Sequence, residues 1–316
     1  MRIRRLRDLV TACARRSSPP RVAVVRCAEG YVLKAAVAAH AKGVAEPILI
    51  GDMAKARETA ARLGLSLARF RAVEASDDDT ALAAALALFK AGEAQLIMKG
   101  LISTARLLRA VLDKETGIPA RGALSHVAVF ERPGTRGGGR LMCLTDPGVN
   151  IRPNLQRKAD IVRNSLSVMR ALGVTRPRVA MLAATEKVNF PAMPATLDAD
   201  LISTMARQGE FGDALVAGPM ALDIAVSARA ARVKGYEHPV AGRADILCVP
   251  DIESGNVLYK SLSTFMQADM AGVVMGSQAP IVVPSRGDSD RTKLYSIALG
   301  AYLAGQTEDA AKTQGA

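Results

Sequence analysis

The sequence predicts an α/β protein with mainly parallel sheets and helices on both faces. Short apolar runs rich in Val and Ile alternate almost throughout with longer stretches of 3.6-residue periodicity. Gly follows many of the longer stretches, at Gly43, Gly64, Gly92, Gly173, Gly209 and Gly235, as expected where helices end in the left-handed region. A chain of 316 residues suits two domains of roughly 100–200 residues each. Strand–helix alternation needs crossover connections, and crossovers place neighbouring strands parallel with helices covering the sheet.

The elements follow in order. Strands are expected at residues 21–27, 47–50, 95–98, 126–130, 141–144, 178–183, 214–216, 245–249, 272–275 and 280–283, where short apolar runs stand alone. Helices are expected at 31–42, 54–63, 79–91, 104–114, 154–172, 195–208, 224–234, 256–266 and 290–303, where apolar residues recur on one face. Residues 1–16 are Arg-rich and acid-poor, a composition shared by organelle transit peptides and amphipathic helices. Ile3, Leu6, Leu9, Val10 and Cys13 recur at helical spacing, so a helix is expected. The Pro/Gly-rich segment 132–140 lies between two strands and suits a hairpin or a crossover between domains. The tail after Gly305 is small and polar, and fraying is expected there.

Composition narrows the function. The net charge is +12, and half of it comes from residues 1–21, with seven Arg against one Asp. The rest is scattered, which suits anionic small ligands. Aromatics make up 3% and Trp is absent, so a binder that stacks nucleobases is not expected. Cys13, Cys27, Cys143 and Cys248 form no CxxC pair, and three sit in apolar runs. They read as reduced core residues of a cytoplasmic protein. His40, His126 and His238 are far apart and lack ligand spacing, so no metal site is expected. No run reaches the ~18 apolar residues of a membrane span.

Ligands of open α/β sheets bind beyond the carboxyl ends of the strands, so polar residues just after strands are the candidates. In PIVVPSRGDSD, Ser285, Arg286 and Gly287 lie between a buried strand and a helix start. The Arg fork suits phosphate oxygens, and a helix N-terminus favours anions; a capped, solvated loop is the alternative. In IMKGLISTARLLRAVL, Lys99 ends a strand, Ser103 and Thr104 open a helix, and Arg106 and Arg109 follow on one surface. An anion pocket and an ordinary N-cap fit equally, and the spacing is not that of a P-loop. Asp245, Asp251, Glu253 and Asn256 gather around a third strand–helix junction, where capping is the usual role. Asp146 and Asn150 in LTDPGVNI suit turn chemistry.

Taken together and in order, IMKGLISTARLLRAVLDKETGI, LSHVAVFE, LTDPGVNI, AATEKVN with MPATLDA, GPMALDIAVS, PVAGRADILCVPDIESGNVLYKSL and SRGDSDRTKLYSIAL resemble the phosphate acetyltransferase / phosphate butyryltransferase family, most closely its butyryl branch. The resemblance runs from about residue 21 to 303. It implies a two-domain isocitrate/isopropylmalate-dehydrogenase-like fold with an interdomain cleft, with residues 1–145 plus 279–316 forming one domain and 146–278 the other. It implies a homodimer, no permanently bound cofactor, no metal, and no membrane or nucleic-acid partner. The substrates would be acyl-CoA, inorganic phosphate and acyl phosphate, with thiolate attacking the acyl carbonyl in a ternary complex. Ser285 would hydrogen-bond the oxyanion, and Arg286 and Arg109 would grip the phosphoryl group, with Ser103 and Thr104 beside them. The acetyl branch places its base Asp where this chain has Thr292. Asp290 is then the expected base, Asp288 its neighbouring alternative, and Lys99, Asp245, Glu253 and Asn256 are secondary candidates. A non-catalytic coenzyme A or nucleic-acid binder and a metal-dependent dehydrogenase of the same fold are the alternatives. The first strand is followed by Ala28-Glu29-Gly30 rather than GxGxxG.

Overall fold

A computed structural model describes residues 3–132 and 140–314, with side chains to Gln306. The expected hairpin or crossover at 132–140 therefore lies largely outside the described residues. Two compact units form: Leu6–Arg121 with Asp269–Ala316, and Met1–Arg5 with Gly122–Ala268.

The first of these, the outer unit, opens with α1 (Leu6–Ala14), β1 (Arg21–Val25), α2 (Gly30–Ala41), β2 (Glu46–Gly51), α3 (Met53–Arg62), β3 (Arg71–Glu74), α4 (Asp78–Lys90), β4 (Leu96–Lys99) and α5 (Thr104–Val111). Asp52, Asp77 and Ser103 cap α3, α4 and α5 through their side chains, each satisfying one of the free N–H groups at a helix start. The middle unit holds β5 (Ala120–Glu131), β6 (Leu141–Thr145), α6 (Leu155–Ala171), β7 (Arg178–Leu182), α7 (Pro194–Arg207), β8 (Leu215–Met220), α8 (Leu222–Val226), α9 (Ala228–Val233), β9 (Ile246–Cys248) and α10 (Ile252–Thr264). The chain then returns to the outer unit with β10 (Met270–Ser277), β11 (Ile281–Val282) and α11 (Asp290–Gln314).

In the outer unit the strands run in the order β3-β2-β1-β4-β11-β10. All pair parallel except β10 with β11. The chain winds outward from β1 to β3, then α4 carries it back to β4 on the other side of β1. That reversal makes the carboxyl ends of β1 and β4 a topological switch point, where open α/β sheets leave a crevice. In the middle unit the order is β5-β6-β9-β7-β8, with only β5 and β6 antiparallel. The core is aliphatic: Val22, Val24, Ile48, Ile50, Leu96 and Ile97 of the outer unit are all but inaccessible to solvent.

Several elements differ from the expectation. β3 was not expected, because its residues are largely exposed and carry no apolar run. β5 starts six residues early, since its exposed first residues give no periodic signal. The helix expected at 224–234 breaks into α8 and α9, where the Ser227 hydroxyl accepts the Ala230 N–H and starts a new helix. α11 runs on past Gly305 to Gln314, because no Pro or turn sequence stops it. Among the N-terminal apolar residues, Leu6, Leu9 and Cys13 are buried on α1, and the Cys13 thiol donates to Ala298 O of α11. Ile3 precedes the helix; its N–H donates to Leu172 O of the middle unit. The units divide at residues 121/122 and 268/269, against the expected 145/146 and 278/279. β5 and β6 stay together as one antiparallel pair. β10 goes with α11, whose Thr292 and Ser296 hydroxyls accept the N–H groups of Met270 and Gly272.

Candidate active site

The switch point of the outer unit gathers cations. β4 ends at Lys99 and turns at Gly100, whose N–H donates to Val25 O at 2.8 Å. A Cβ on Gly100 would lie 2.3 Å from Arg26 O and 2.4 Å from Val25 O, so only Gly lets the two strand ends approach. The Lys99 ammonium donates to the carbonyls of Gly100 (3.3 Å) and Ile102 (3.0 Å), which turns it back over this loop. Burial lowers its pKa, and the charge of Arg286 lowers it further. Arg286 therefore stands close enough to be felt by Lys99, across the β4–β11 pairing.

Beyond β11 the chain turns through Ser285, Arg286 and Gly287 into α11. The Asp288 carboxylate accepts the Ser285 N–H at 2.8 Å and pins this turn. The Ser285 side chain is half-buried and its hydroxyl makes no hydrogen bond among the described residues. Arg286 is exposed. Burial raises the pKa of Tyr31, on the first turn of α2, and the nearby positive charge of Arg286 works against it. Lys293 on α11 is only 3% exposed; its ammonium donates to Asp288 O and lies 5.4 Å from the centroid of the Tyr31 ring.

The other candidates fall into three groups. Ser103 caps α5 by accepting the Arg106 N–H at 3.2 Å, with Thr104 as the first helical residue. Arg106 is consumed by Asp78 and Asp79, at 3.0 and 2.9 Å. Arg109 is exposed and has no carboxylate partner among the described residues. Ser103 and Arg109 line a groove of about 1000 Å³ between α4 and α5, floored by Leu82 and Leu86, which Lys99, Ser285 and Arg286 do not line. Thr292, where the acetyl branch carries its base, is buried and its hydroxyl accepts the Met270 N–H. Asp290 opens α11 and is exposed.

In the middle unit, Asp245 is 5% exposed, pairs with Arg140 at 2.6 Å and accepts the Arg178 N–H at 2.9 Å. Asn256 donates to Pro147 O at 3.4 Å, and Glu253 is exposed on the first turn of α10. Asp251 caps α10, and Asp146 accepts three backbone N–H groups and the Asn150 amide. Each of these three aspartates serves local structure.

The sequence did not single out Tyr31 and Lys293, which the fold brings together beside this turn. Tyr31 sits just after β1, where the search for polar residues beyond strand ends applied, but an aromatic at a helix start gave no charge to notice. Lys293 lies inside a segment already singled out, hidden by an apparently ordinary helical position. Among the described residues, no group of three or more His, Cys, Asp or Glu has the arrangement of a metal site. No helix there is long and apolar enough to cross a membrane.

Cations and a hydroxyl at the switch point of a parallel sheet suit an anionic ligand. Comparison with known proteins makes this specific. Residues 76–301 match the family described as phosphate acetyl/butaryl transferase, and the chain belongs to that family of acyltransferases. It is 43% identical to a phosphate butyryltransferase of Clostridium acetobutylicum over 285 residues, covering 90% of this chain and 93% of that protein. It is 39% identical to a phosphate acetyltransferase of Rhizobium meliloti, covering 94% and 93%. A crystal structure of a branched-chain phosphotransacylase from Enterococcus faecalis V583 shares the fold with a TM-score of 0.78 at 31% identity, over 90% of this chain and 99% of that one. A putative 4-hydroxythreonine-4-phosphate dehydrogenase from Salmonella typhimurium, at 13% identity and TM-score 0.57, shares the dehydrogenase-like fold alone.

Proposed function

We propose that this enzyme moves a short acyl group, butyryl or acetyl, reversibly between coenzyme A and inorganic phosphate. The observation that carries the reading is the Ser285-Arg286 turn at the switch point of a parallel sheet, where among the described residues the hydroxyl makes no hydrogen bond and the guanidinium has no carboxylate partner. Both relatives quoted above are named for phosphate acyl transfer, one with butyryl and one with acetyl.

In this reading the coenzyme A thiol loses its proton to a carboxylate, and the thiolate attacks the carbonyl carbon of the acyl phosphate within a ternary complex. A C–S bond forms, the carbonyl oxygen gains negative charge, and collapse breaks the C–O bond to phosphate, which leaves with that electron pair. Ser285 Oγ donates to the oxyanion. Arg286 and Arg109 hold the phosphoryl oxygens, and Lys99 adds positive charge. The Ser103 and Thr104 hydroxyls, with the free N–H groups of the α5 start, complete the anion site. Asp290 takes the thiol proton, whose pKa by analogy with Cys is about 8.5. It is favoured over Asp288, whose carboxylate already accepts the Ser285 N–H, while Thr292 has no basic group to offer. The enzyme works as a cytoplasmic homodimer with no permanently bound cofactor.

The test is incubation of purified protein with phosphate and either acetyl-CoA or butyryl-CoA, following phosphate-dependent release of free thiol. Release establishes the reaction, and the ratio of rates selects the acyl group. No release with any acyl-CoA from acetyl to branched-chain contradicts the reading.

A further inference from the structure

Lys293 is only 3% exposed, and among the described residues no carboxylate pairs with it. A lysine is almost never this deeply buried unless it is paired, because an ammonium leaves water at a cost that a counter-charge normally offsets. Lys158, 4% exposed, follows that rule: its ammonium donates to the Asp198 carboxylate at 2.7 Å.

The Lys293 ammonium is directed at one turn instead. It donates to Asp288 O and lies 5.4 Å from the centroid of the Tyr31 ring, a cation–π distance. Asp288 closes the turn that carries Ser285 and Arg286. Its carboxylate accepts the Ser285 N–H at 2.8 Å, and its own N–H donates to Ser285 O at 3.2 Å. Ser289 then caps α11 by accepting the Thr292 N–H at 3.1 Å. The ammonium thus ties the closed end of the turn to α11, which bears it, and to the first turn of α2, which bears Tyr31. The outer side of the turn has no comparable support. Arg286 and Gly287 are exposed, and a Cβ on Gly287 would meet nothing within 4 Å.

An oxyanion donor is effective when it is aimed before the charge develops, and a shift of about an ångström forfeits much of that benefit. A carboxylate beside Lys293 would ease its burial but would set another negative charge behind an anion-binding turn. A carbonyl and a ring bring no further carboxylate there. We propose that Lys293 is a positioning residue whose buried, unpaired ammonium fixes the Ser285–Asp288 turn, so that the Ser285 hydroxyl is preset for the acyl oxyanion. The inference rests on the reading of Ser285 as the oxyanion donor.

Lys293→Met in the full chain tests it, since Met removes the ammonium and keeps an apolar chain in the buried position. kcat should fall roughly 10- to 100-fold while KM for acyl-CoA stays within about twofold. The melting temperature should stay close to that of the parent, because the lost charge had no counter-charge. Hydrogen exchange at the Ser285 and Asp288 N–H groups should quicken by about 10-fold or more as the turn loosens. In the Ser285→Ala background the same substitution should lower kcat far less, since the hydroxyl it would misplace is gone. Unchanged kcat in the folded fraction, unchanged exchange at the two N–H groups, or the same fold loss in the Ser285→Ala background would overturn the proposal. Lys293→Gln, which keeps a polar donor, is read in the same way should the apolar side chain prevent folding. If Ser285→Ala alone leaves kcat normal, the oxyanion reading of Ser285 fails first and the proposal falls with it. If Ser285→Ala lowers kcat while Lys293→Met does not, only the positioning role is lost.

Discussion

The outer and middle units both bring charged side chains to strand ends, and they treat them in opposite ways. In the middle unit the carboxylates are satisfied locally. Asp146 collects three backbone N–H groups and an amide, Asp245 collects Arg140 and the Arg178 N–H, and Asp251 caps a helix. In the outer unit neither Arg109 nor Arg286 has a carboxylate partner among the described residues. Lys99 is turned onto two carbonyls and feels Arg286 as a repulsive neighbour. Folding alone gains nothing from holding two like charges together in a half-buried place. A charge satisfied within the protein stabilises the fold, and a charge left unsatisfied is available to a ligand. The same contrast appears within the outer unit, where Arg26 pairs with Asp78 and Arg106 with Asp78 and Asp79 at the start of α4, while Arg109, one turn along from Arg106, has no carboxylate partner among the described residues.

Substitutions on the two sides should therefore separate chemistry from stability. The largest expected effect is that of Ser285→Ala. Loss of one oxyanion donor lowers kcat by roughly 10²–10³-fold, with the melting temperature unchanged, because the hydroxyl bonds nothing else among the described residues. Stopped assays of thiol release across phosphate concentrations measure this, and an unaltered kcat would remove Ser285 from the chemistry. Asp245→Ala should do the reverse. Leaving Arg140 and the Arg178 N–H without their acceptor costs about 3 kcal/mol, read by urea unfolding, while the kinetics of the folded fraction stay as they were. Gly100→Ala sharpens the comparison from the other direction. Its Cβ meets two backbone carbonyls, which forces the β1 and β4 ends apart at a cost of about 1–3 kcal/mol, so both stability and phosphate KM should suffer.

The smallest effect is electrostatic. Burial and then Arg286 depress the Lys99 pKa. A depressed Lys pKa means the unfolded chain holds the proton more firmly than the folded one. The cost to stability is thus full at neutral pH, and it fades as pH rises through the lowered value toward the ordinary one. Arg286→Gln removes the second cause and leaves the first, so the Lys99 titration should move upward by NMR of the labelled side chain. Saturating phosphate should move it the same way. A Lys99 that titrates identically in both proteins would mean that the two cations do not share a site.

Much of this was legible in the sequence. The alternation of apolar runs with helical periodicity located the parallel sheets, since burial on both faces leaves strong local patterns in strands such as β1, β2 and β4. β3 left none, because an exposed edge strand has no apolar face to record. The α8–α9 break was hidden because the Ser227 cap looks like an ordinary polar helical residue. For the candidate site, the rule that ligands sit beyond strand carboxyl ends pointed to Lys99, Ser285 and Arg286, which lie at the ends of the adjacent strands β4 and β11. The sequence did not distinguish Arg106 from Arg109, because only the fold brings Asp78 and Asp79 alongside one of them. Nor did it separate the buried strut Asp245 from an available base, since the Arg140 partner lies 105 residues away. Tyr31 was hidden for the same reason: Lys293, whose ammonium lies over its ring, comes from the far end of the chain.

The central claim is that the Arg286 charge is held open for phosphate. Its most direct test is to compare Arg286→Ala with the parent enzyme, measuring KM for phosphate and for acyl-CoA together with the melting temperature. The account predicts a phosphate KM raised by about 10-fold or more, as expected for a lost charge-assisted contact, with acyl-CoA KM and melting temperature little changed. Normal phosphate kinetics, or a loss of stability matching the loss of activity, would contradict it.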